Sequence, residues 1–352
     1  MRLDLRLSIN CHNERFFSYQ MRIFVTNINT AIMLKFNNLK SIRLSILIGT
    51  CFLFLSTIKV FSQKNLAEKL GYDKDAKLLI IHADDLGMAH SENSASIKAI
   101  DSGSVNSASI MMPAPWVEEV AAYARKNSKR HDLGLHLVLT SEWENYRWGP
   151  VASKDKVASL LAKDGYFYKD CSSKAKPEEV ETELRAQIDL AYVMGIEPTH
   201  LDSHMGCMFW INKGIFEVYL TLGQEYKLPC LVDKSFVGLY ADEETFLLTL
   251  KKYEVAVVVD HSFTISPNDF SKGTIQYYTS VLKSLQPGLS TFLIHTAYDT
   301  VELKAITINH PDWGATWRQA DYDFFMSAEC NKILEQEEII LVTWREISNA
   351  LN

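Results

Sequence analysis

From about residue 77 the chain alternates short apolar, β-branched runs with longer stretches of helical periodicity. The runs fall at residues 78–83, 107–112, 133–139, 199–203, 229–232, 255–259, 291–294 and 339–343. Between them lie helix candidates at 92–101, 116–126, 178–194, 214–225, 243–252, 274–285 and 323–336. Strands that alternate with helices are the mark of βα units around a parallel sheet. The 178–194 helix is the most sharply bounded: Pro177 takes the first helical position, acidic residues fill the first turn and Gly195 ends it. No repeat, low-complexity tract or linker divides the series. The prediction is therefore α/β: a single distorted (β/α) barrel of seven or eight parallel strands, TIM-like, over residues 63–352, with its active site at the C-terminal strand ends.

Residues 1–62 follow a different rule. Lys40 and Arg43 precede a mainly apolar stretch at 44–58, and Val60-Phe61-Ser62 follows. A basic segment, an apolar segment and a small residue together predict a secretory signal over about 33–62, cleaved near Ser62. The fifteen-residue stretch is shorter than the roughly 20 residues of a membrane span, so no stable span is expected after cleavage. Met33 suits the start of such a signal better than Met1, which places 1–32 ahead of the expected start of translation. The expected location is secreted or periplasmic.

Charge sharpens the division. The whole chain carries −7, but residues 1–62 hold eight Lys/Arg against Asp4 and Glu14, so the remainder carries −13. So acidic a body excludes nucleic acid as a partner, because duplex affinity comes from Lys and Arg on phosphates. Cys171, Cys207, Cys230 and Cys330 remain after the signal, with no C-x-x-C pair. That argues against a cysteine zinc site and a redox motif, and leaves disulfides open with their pairing unread.

The predicted strand ends carry Asp84-Asp85, His136, Asp202 with His204, Asp260-His261, and His295. Any one of these could simply cap the next helix. Together they supply two imidazoles and a carboxylate for a divalent metal, with groups to spare for proton transfer, which is the part list of a metal-assisted hydrolase. His82, inside the first strand, reads as a core residue.

These residues also resemble a known family. His82-Ala83-Asp84-Asp85-Leu86-Gly87 is similar to the "ADDFG" opening of the YdjC-like carbohydrate deacetylases, relatives of the NodB-type polysaccharide deacetylases. Asn93, the strand after Gly103, Gly134-Leu135-His136-Leu137-Val138-Leu139-Thr140, Glu183–Ile188 and Thr199-His200-Leu201-Asp202-Ser203-His204 follow in the family's order. The resemblance implies a metal held by Asp85, His136 and His204, with Asp84 as catalytic base. It makes His295 the first choice for the general acid and His261 the second, and Asp202 an orienting partner of His204 or His295. It implies one divalent ion, zinc or magnesium, with manganese or cobalt also admitted by the donor set. The implied substrate is an acetylated mono- or oligosaccharide that loses an N-acetyl group. A carbohydrate O-acetyl esterase with the same site, and a non-catalytic sugar-binding relic, are the alternatives.

Two departures stand out. The family continues "D-S-H-x-H", whereas Met205-Gly206 follow His204, and its late "H-P-G" is His295-Thr296-Ala297. Two segments are rich in rings: 141–168, with Trp143, Tyr146, Trp148, Tyr166, Phe167 and Tyr168, and 310–317, with Trp313 and Trp317. Such rings either stack on sugar faces or anchor the loops. Arg318 and Asp321 read either as rim residues or as a surface ion pair.

Overall fold

A computed structural model describes residues 65–102, 105–127 and 131–351. The expected secretory signal lies outside the described residues. The chain begins α1 (Leu66–Lys69), β1 (Lys77–Leu86), α2 (His90–Ser102), β2 (Ser107–Ile110), α3 (Val117–Asn127), β3 (Leu133–Leu137) and α4 (Pro177–Val193). It continues through β4 (Leu201–Ser203), α5 (Cys207–Trp210), α6 (Lys213–Tyr226), β5 (Cys230–Asp233), α7 (Glu243–Leu250), β6 (Ala256–Val259) and β7 (His261–Phe263). Then come α8 (Pro267–Lys272), α9 (Thr274–Ser284), β8 (Gly288–Ile294), α10 (Val301–Ile306), α11 (Ala315–Phe325), α12 (Ala328–Gln336), β9 (Ile339–Leu341) and α13 (Trp344–Leu351).

All the strands pair in parallel, in the order β6-β5-β4-β3-β2-β1-β8-β7, with β9 added to β1. The two ends of this order are consecutive in sequence, so the ladder comes nearly full circle. β6 pairs with β5 up to Val259, and beyond Asp260 the same chain pairs with β8 from His261. Asp260 makes the switch: its N–H donates to the Leu289 carbonyl (2.7 Å) and its carboxylate accepts the Leu289 N–H (2.9 Å). The result is the nearly closed, TIM-like parallel barrel expected from the sequence, with helices around it.

β1 is the central strand. Residues 78–86 are all buried, because one face meets the barrel interior and the other the surrounding helices. One edge pairs with β8 from Lys77 to Ala83; the other pairs with β9 low down and with β2 higher up. Asn106 fills the gap between those two strands, accepting the Ile81 N–H (2.7 Å) and donating to the Val342 carbonyl (2.6 Å).

Two expectations are corrected, and the open question of the cysteines is answered. The 255–259 strand does not end at a rim carrying Asp260-His261. It continues through Asp260 into β7, so His261 sits opposite Ser290 low on β8 and is exposed. The 323–336 helix is two helices, because Ser327 accepts the Cys330 N–H and caps α12. Among the cysteines, Cys171 and Cys207 form a disulfide, while Cys230 and Cys330 are buried thiols.

Candidate active site

The site begins with an irregularity in β1. The register against β2 shifts between Ala83 and Leu86, and Asp85 has φ 68°, a left-handed conformation that Asp tolerates better than most residues. Period-two alternation sends His82 and Asp84 into the barrel, and the bulge turns Asp85 toward the same cavity. Asn93 holds the turn that follows, accepting the Gly87 N–H (2.7 Å) and donating to the Trp116 carbonyl (3.1 Å).

Asp85 Oδ1 is buried and accepts no well-directed hydrogen bond. His204 Nδ1 lies 3.2 Å from it and His136 Nε2 lies 3.5 Å away. One oxygen and two imidazole nitrogens thus converge within 4.8 Å of one another. A buried, unsatisfied carboxylate oxygen facing two nitrogen donors fits a divalent cation in both chemistry and spacing. His136 turns its other nitrogen, Nδ1, to Asp202 Oδ1 at 2.6 Å. Asp202 therefore orients His136, and not His204 or His295 as expected; β3 and β4 are neighbours with His136 opposite Asp202.

The electrostatics follow from one guanidinium among several carboxylates. Arg318, expected as a rim residue or half of a surface pair with Asp321, is buried. It donates to Asp85 Oδ2 (2.8 Å), to both Glu92 oxygens (2.8 and 2.7 Å) and to the Trp313 carbonyl (2.6 Å). Burial alone would raise Asp85, but Arg318, then His204 and His295, hold it well below the carboxylate range. Glu92, wholly buried and sharing that same guanidinium, is pushed up.

His82 is more than a core residue. Its Nε2 is 2.8 Å from Asp202 and 3.2 Å from Asp84, and the hydroxyls of Ser107 and Ser109 flank the ring at 3.0 Å. Burial opposes its charge, yet the two carboxylates raise it to about 10, leaving an imidazolium between them.

His295 stands over the pair of aspartates, its Nε2 3.9 Å from Oδ2 of both Asp84 and Asp85. Burial lowers it to about 4, opposed by Asp85 and reinforced by Arg318, so the ring is uncharged at neutral pH. Its backbone N–H donates to Asp321 (2.9 Å), whose other oxygen accepts the Tyr278 hydroxyl. His261, the second candidate acid, lies outside this cavity.

The cavity encloses about 340 Å³ and takes its walls from both ring-rich segments. Trp143 and Trp313 line it, with His310 beside them. Trp148, Phe167 and Trp317 are buried away from the cavity and anchor the loops, and Trp143 is itself buried, with the Arg318 guanidinium over its ring at 5.5 Å; most of these rings therefore serve as anchors. The residues of the Glu183–Ile188 segment act from outside the cavity. Glu183 accepts the N–H groups of Val151 and Ala152 (3.0 and 2.9 Å), and Gln187 exchanges two bonds with the Val138 backbone (3.0 and 2.8 Å). Glu142 went unremarked in the sequence, where nothing separates it from its neighbours, yet its carboxylate sits 3.1 Å from His204 Nε2.

A search of known proteins yields relatives across nearly this whole barrel. A carbohydrate deacetylase of Thermus thermophilus is 34% identical over 290 residues, covering 82% of this chain and 99% of that protein. A carbohydrate deacetylase of Brevibacillus brevis is 26% identical over 274 residues, covering 76% and 99%. A solved structure of a proposed cellobiose-phosphate cleavage protein from Enterococcus faecalis V583 superimposes with a TM-score of 0.64 at 23% identity, covering 77% of this chain and 99% of that one; it bears on the fold. The model of the family described as YdjC-like protein matches residues 78–336, from the first residue of the buried run in β1 to the last of α12. The strand-end motifs that form the cavity lie within that match, and the chain belongs to the YdjC-like protein family.

Proposed function

We propose that this chain is a metal-dependent carbohydrate deacetylase that removes acetyl groups from N-acetylated sugars or oligosaccharides. The observation that carries the reading is the convergence of Asp85 Oδ1, His136 Nε2 and His204 Nδ1 at the floor of an aromatic-walled cavity. Relatives that are carbohydrate deacetylases support it.

Asp85, His136 and His204 would hold the cation, which when bound acidifies a water and polarises the acetyl carbonyl. Zinc suits this donor set, and magnesium, manganese and cobalt are compatible. Asp84 is the base that takes the water's proton. The His82 imidazolium at 3.2 Å keeps that carboxylate oriented. His295 is uncharged at neutral pH, with a single ring N–H; the second proton, gained during turnover with Asp84 as the nearby source, is the one it delivers to the leaving nitrogen. Trp313, on the cavity wall, offers an aromatic surface to a pyranose.

The chain is further proposed to work outside the cytoplasm after removal of residues 1–62. The Cys171–Cys207 disulfide suits an oxidising compartment, and no described helix is long and apolar enough to cross a membrane.

The test is acetate release from N,N′-diacetylchitobiose with zinc, magnesium or chelator, with Asp84→Asn alongside. Release that requires metal and vanishes in the variant is expected. Release only from O-acetylated sugars would make the enzyme an esterase. No release from any acetylated sugar by the metal-loaded protein would leave a sugar-binding relic and refute the proposal.

A further inference from the structure

The two imidazoles of the cation site are turned opposite ways. His136 offers Nε2 to the Asp85 oxygen and gives Nδ1 to Asp202, whereas His204 offers Nδ1 and turns Nε2 away. On that far side lies Glu142, with oxygens 3.1 and 3.2 Å from Nε2 and a side chain only 11% exposed. An ionised carboxylate only accepts, so this contact places a proton on His204 Nε2 and makes Nδ1 the atom turned to Asp85 and the cation position.

The surroundings are built to keep that contact. Beside Glu142, the Ser141 N–H donates to the Tyr168 carbonyl (2.8 Å), and the Ser141 hydroxyl accepts from the Trp148 N–H (3.0 Å) and Arg147 Nε (3.1 Å). The Trp148 ring meets His204 edge-on at 6.3 Å. The Cys171–Cys207 disulfide then ties the chain three residues beyond Tyr168 to the chain three residues beyond His204. Glu142 and His204 are thus clamped from both ends.

We infer that Glu142 is a positioning residue for His204: it accepts the Nε2 proton, fixes the tautomer and presents Nδ1 to the cation, as Asp202 does in mirror sense for His136. This rests on the metal-site reading above.

Two measurements on the purified full chain test the inference without using turnover. In a calorimetric titration with zinc, Glu142→Ala is expected to bind roughly 10–100-fold more weakly than wild type, the usual loss when a carboxylate behind a ligating imidazole is removed. Glu142→Gln keeps an acceptor oxygen, and should stay within about threefold of wild type. In ¹H–¹⁵N spectra of the zinc-loaded protein, His204 should be the Nε2–H tautomer bound through Nδ1, and His136 the Nδ1–H tautomer bound through Nε2. Zinc affinity unchanged in Glu142→Ala, Glu142→Gln as weak as Glu142→Ala, or His204 bound through Nε2 would each overturn the inference. Wild-type protein that takes up no zinc, magnesium, manganese or cobalt would instead overturn the metal site itself.

Discussion

Replacing Arg318 with methionine should expose how the site balances its charge. The methionine keeps most of the stem, so the change removes the guanidinium with little loss of packing. Arg318 supplies three close bonds to carboxylates and one to the Trp313 carbonyl, all in a buried setting. Glu92 is already pushed up by burial and can protonate. Asp85, which Arg318 holds low, is then left as a buried carboxylate without its strongest partner. Breaking a buried ion pair from one side typically destabilises by about 3–5 kcal/mol. At roughly 2–4 °C per kcal/mol for a domain approaching this size, the melting temperature of metal-free protein should fall by about 6–20 °C. Asp85→Asn in the same chain removes the orphaned charge, so the double variant should recover roughly 2 kcal/mol relative to the sum of the singles. The assay is chemical denaturation of all four proteins in chelator. A loss below about 1 kcal/mol for Arg318→Met, or simple additivity in the double variant, would refute the claim that one guanidinium neutralises this cluster.

Three further outcomes follow from the same geometry. Burial raises the Asp321 carboxyl to about 7, so the folded state holds that proton more tightly; its stabilising contribution is full below about pH 4 and is lost as the pH rises toward 7, on the order of 4 kcal/mol in all. Asp321→Asn cannot ionise, so its melting temperature should gain on wild type between pH 4.5 and 8, and a constant difference would count against the shift. In Gly134→Ala the new Cβ would lie 2.3 Å from the His200 ring, which stacks on Trp344 at 4.9 Å; about 1–3 kcal/mol should be lost in urea titration, and wild-type stability would show that the ring is free to move. Reducing the Cys171–Cys207 bond, which spans 36 residues, should lower stability by roughly 2–4 kcal/mol; an unfolding midpoint indifferent to reductant would argue against a structural role.

The barrel was legible because its strands are unusually apolar: 78–81 reads Leu-Leu-Ile-Ile, and a parallel strand buried on both faces needs such a run. The rim followed from topology, since Asp84-Asp85, His136 and His204 occupy strand ends whatever the fine geometry. β7 was hidden because His261-Ser262-Phe263 is short and mixed in polarity, and it is a strand only because Asp260 hands the chain from β5 to β8. Arg318 was read only as a rim residue or half of a surface pair, and Glu142 was missed, for a related reason. Arg318 meets Glu92 and Asp85 across 226 and 233 residues of sequence, and Glu142 meets His204 across 62. No local pattern encodes contacts of that range. His82 and Asp84 share a face by simple alternation, but Asp202 joins them only once β2 and β3 are laid between β1 and β4.

The position of β1 also governs how this chain can be made. Lys77 pairs with Gly288 on one edge and with Ile339 on the other, both more than two hundred residues downstream. At 5–20 residues per second, a ribosome needs roughly 10–40 s to supply the first of these partners. Throughout that interval a strand whose Leu79, Ile80 and Ile81 are fully buried in the native state has an open edge and no cover, and β2 can satisfy only its upper part. Such an edge recruits other chains. Nascent protein therefore depends on a holding factor or on staying extended until β8 emerges. A chain cut before Gly288 keeps a vacancy beside its central strand where β8 would pair, and its expected fate is aggregation or degradation, not a smaller barrel.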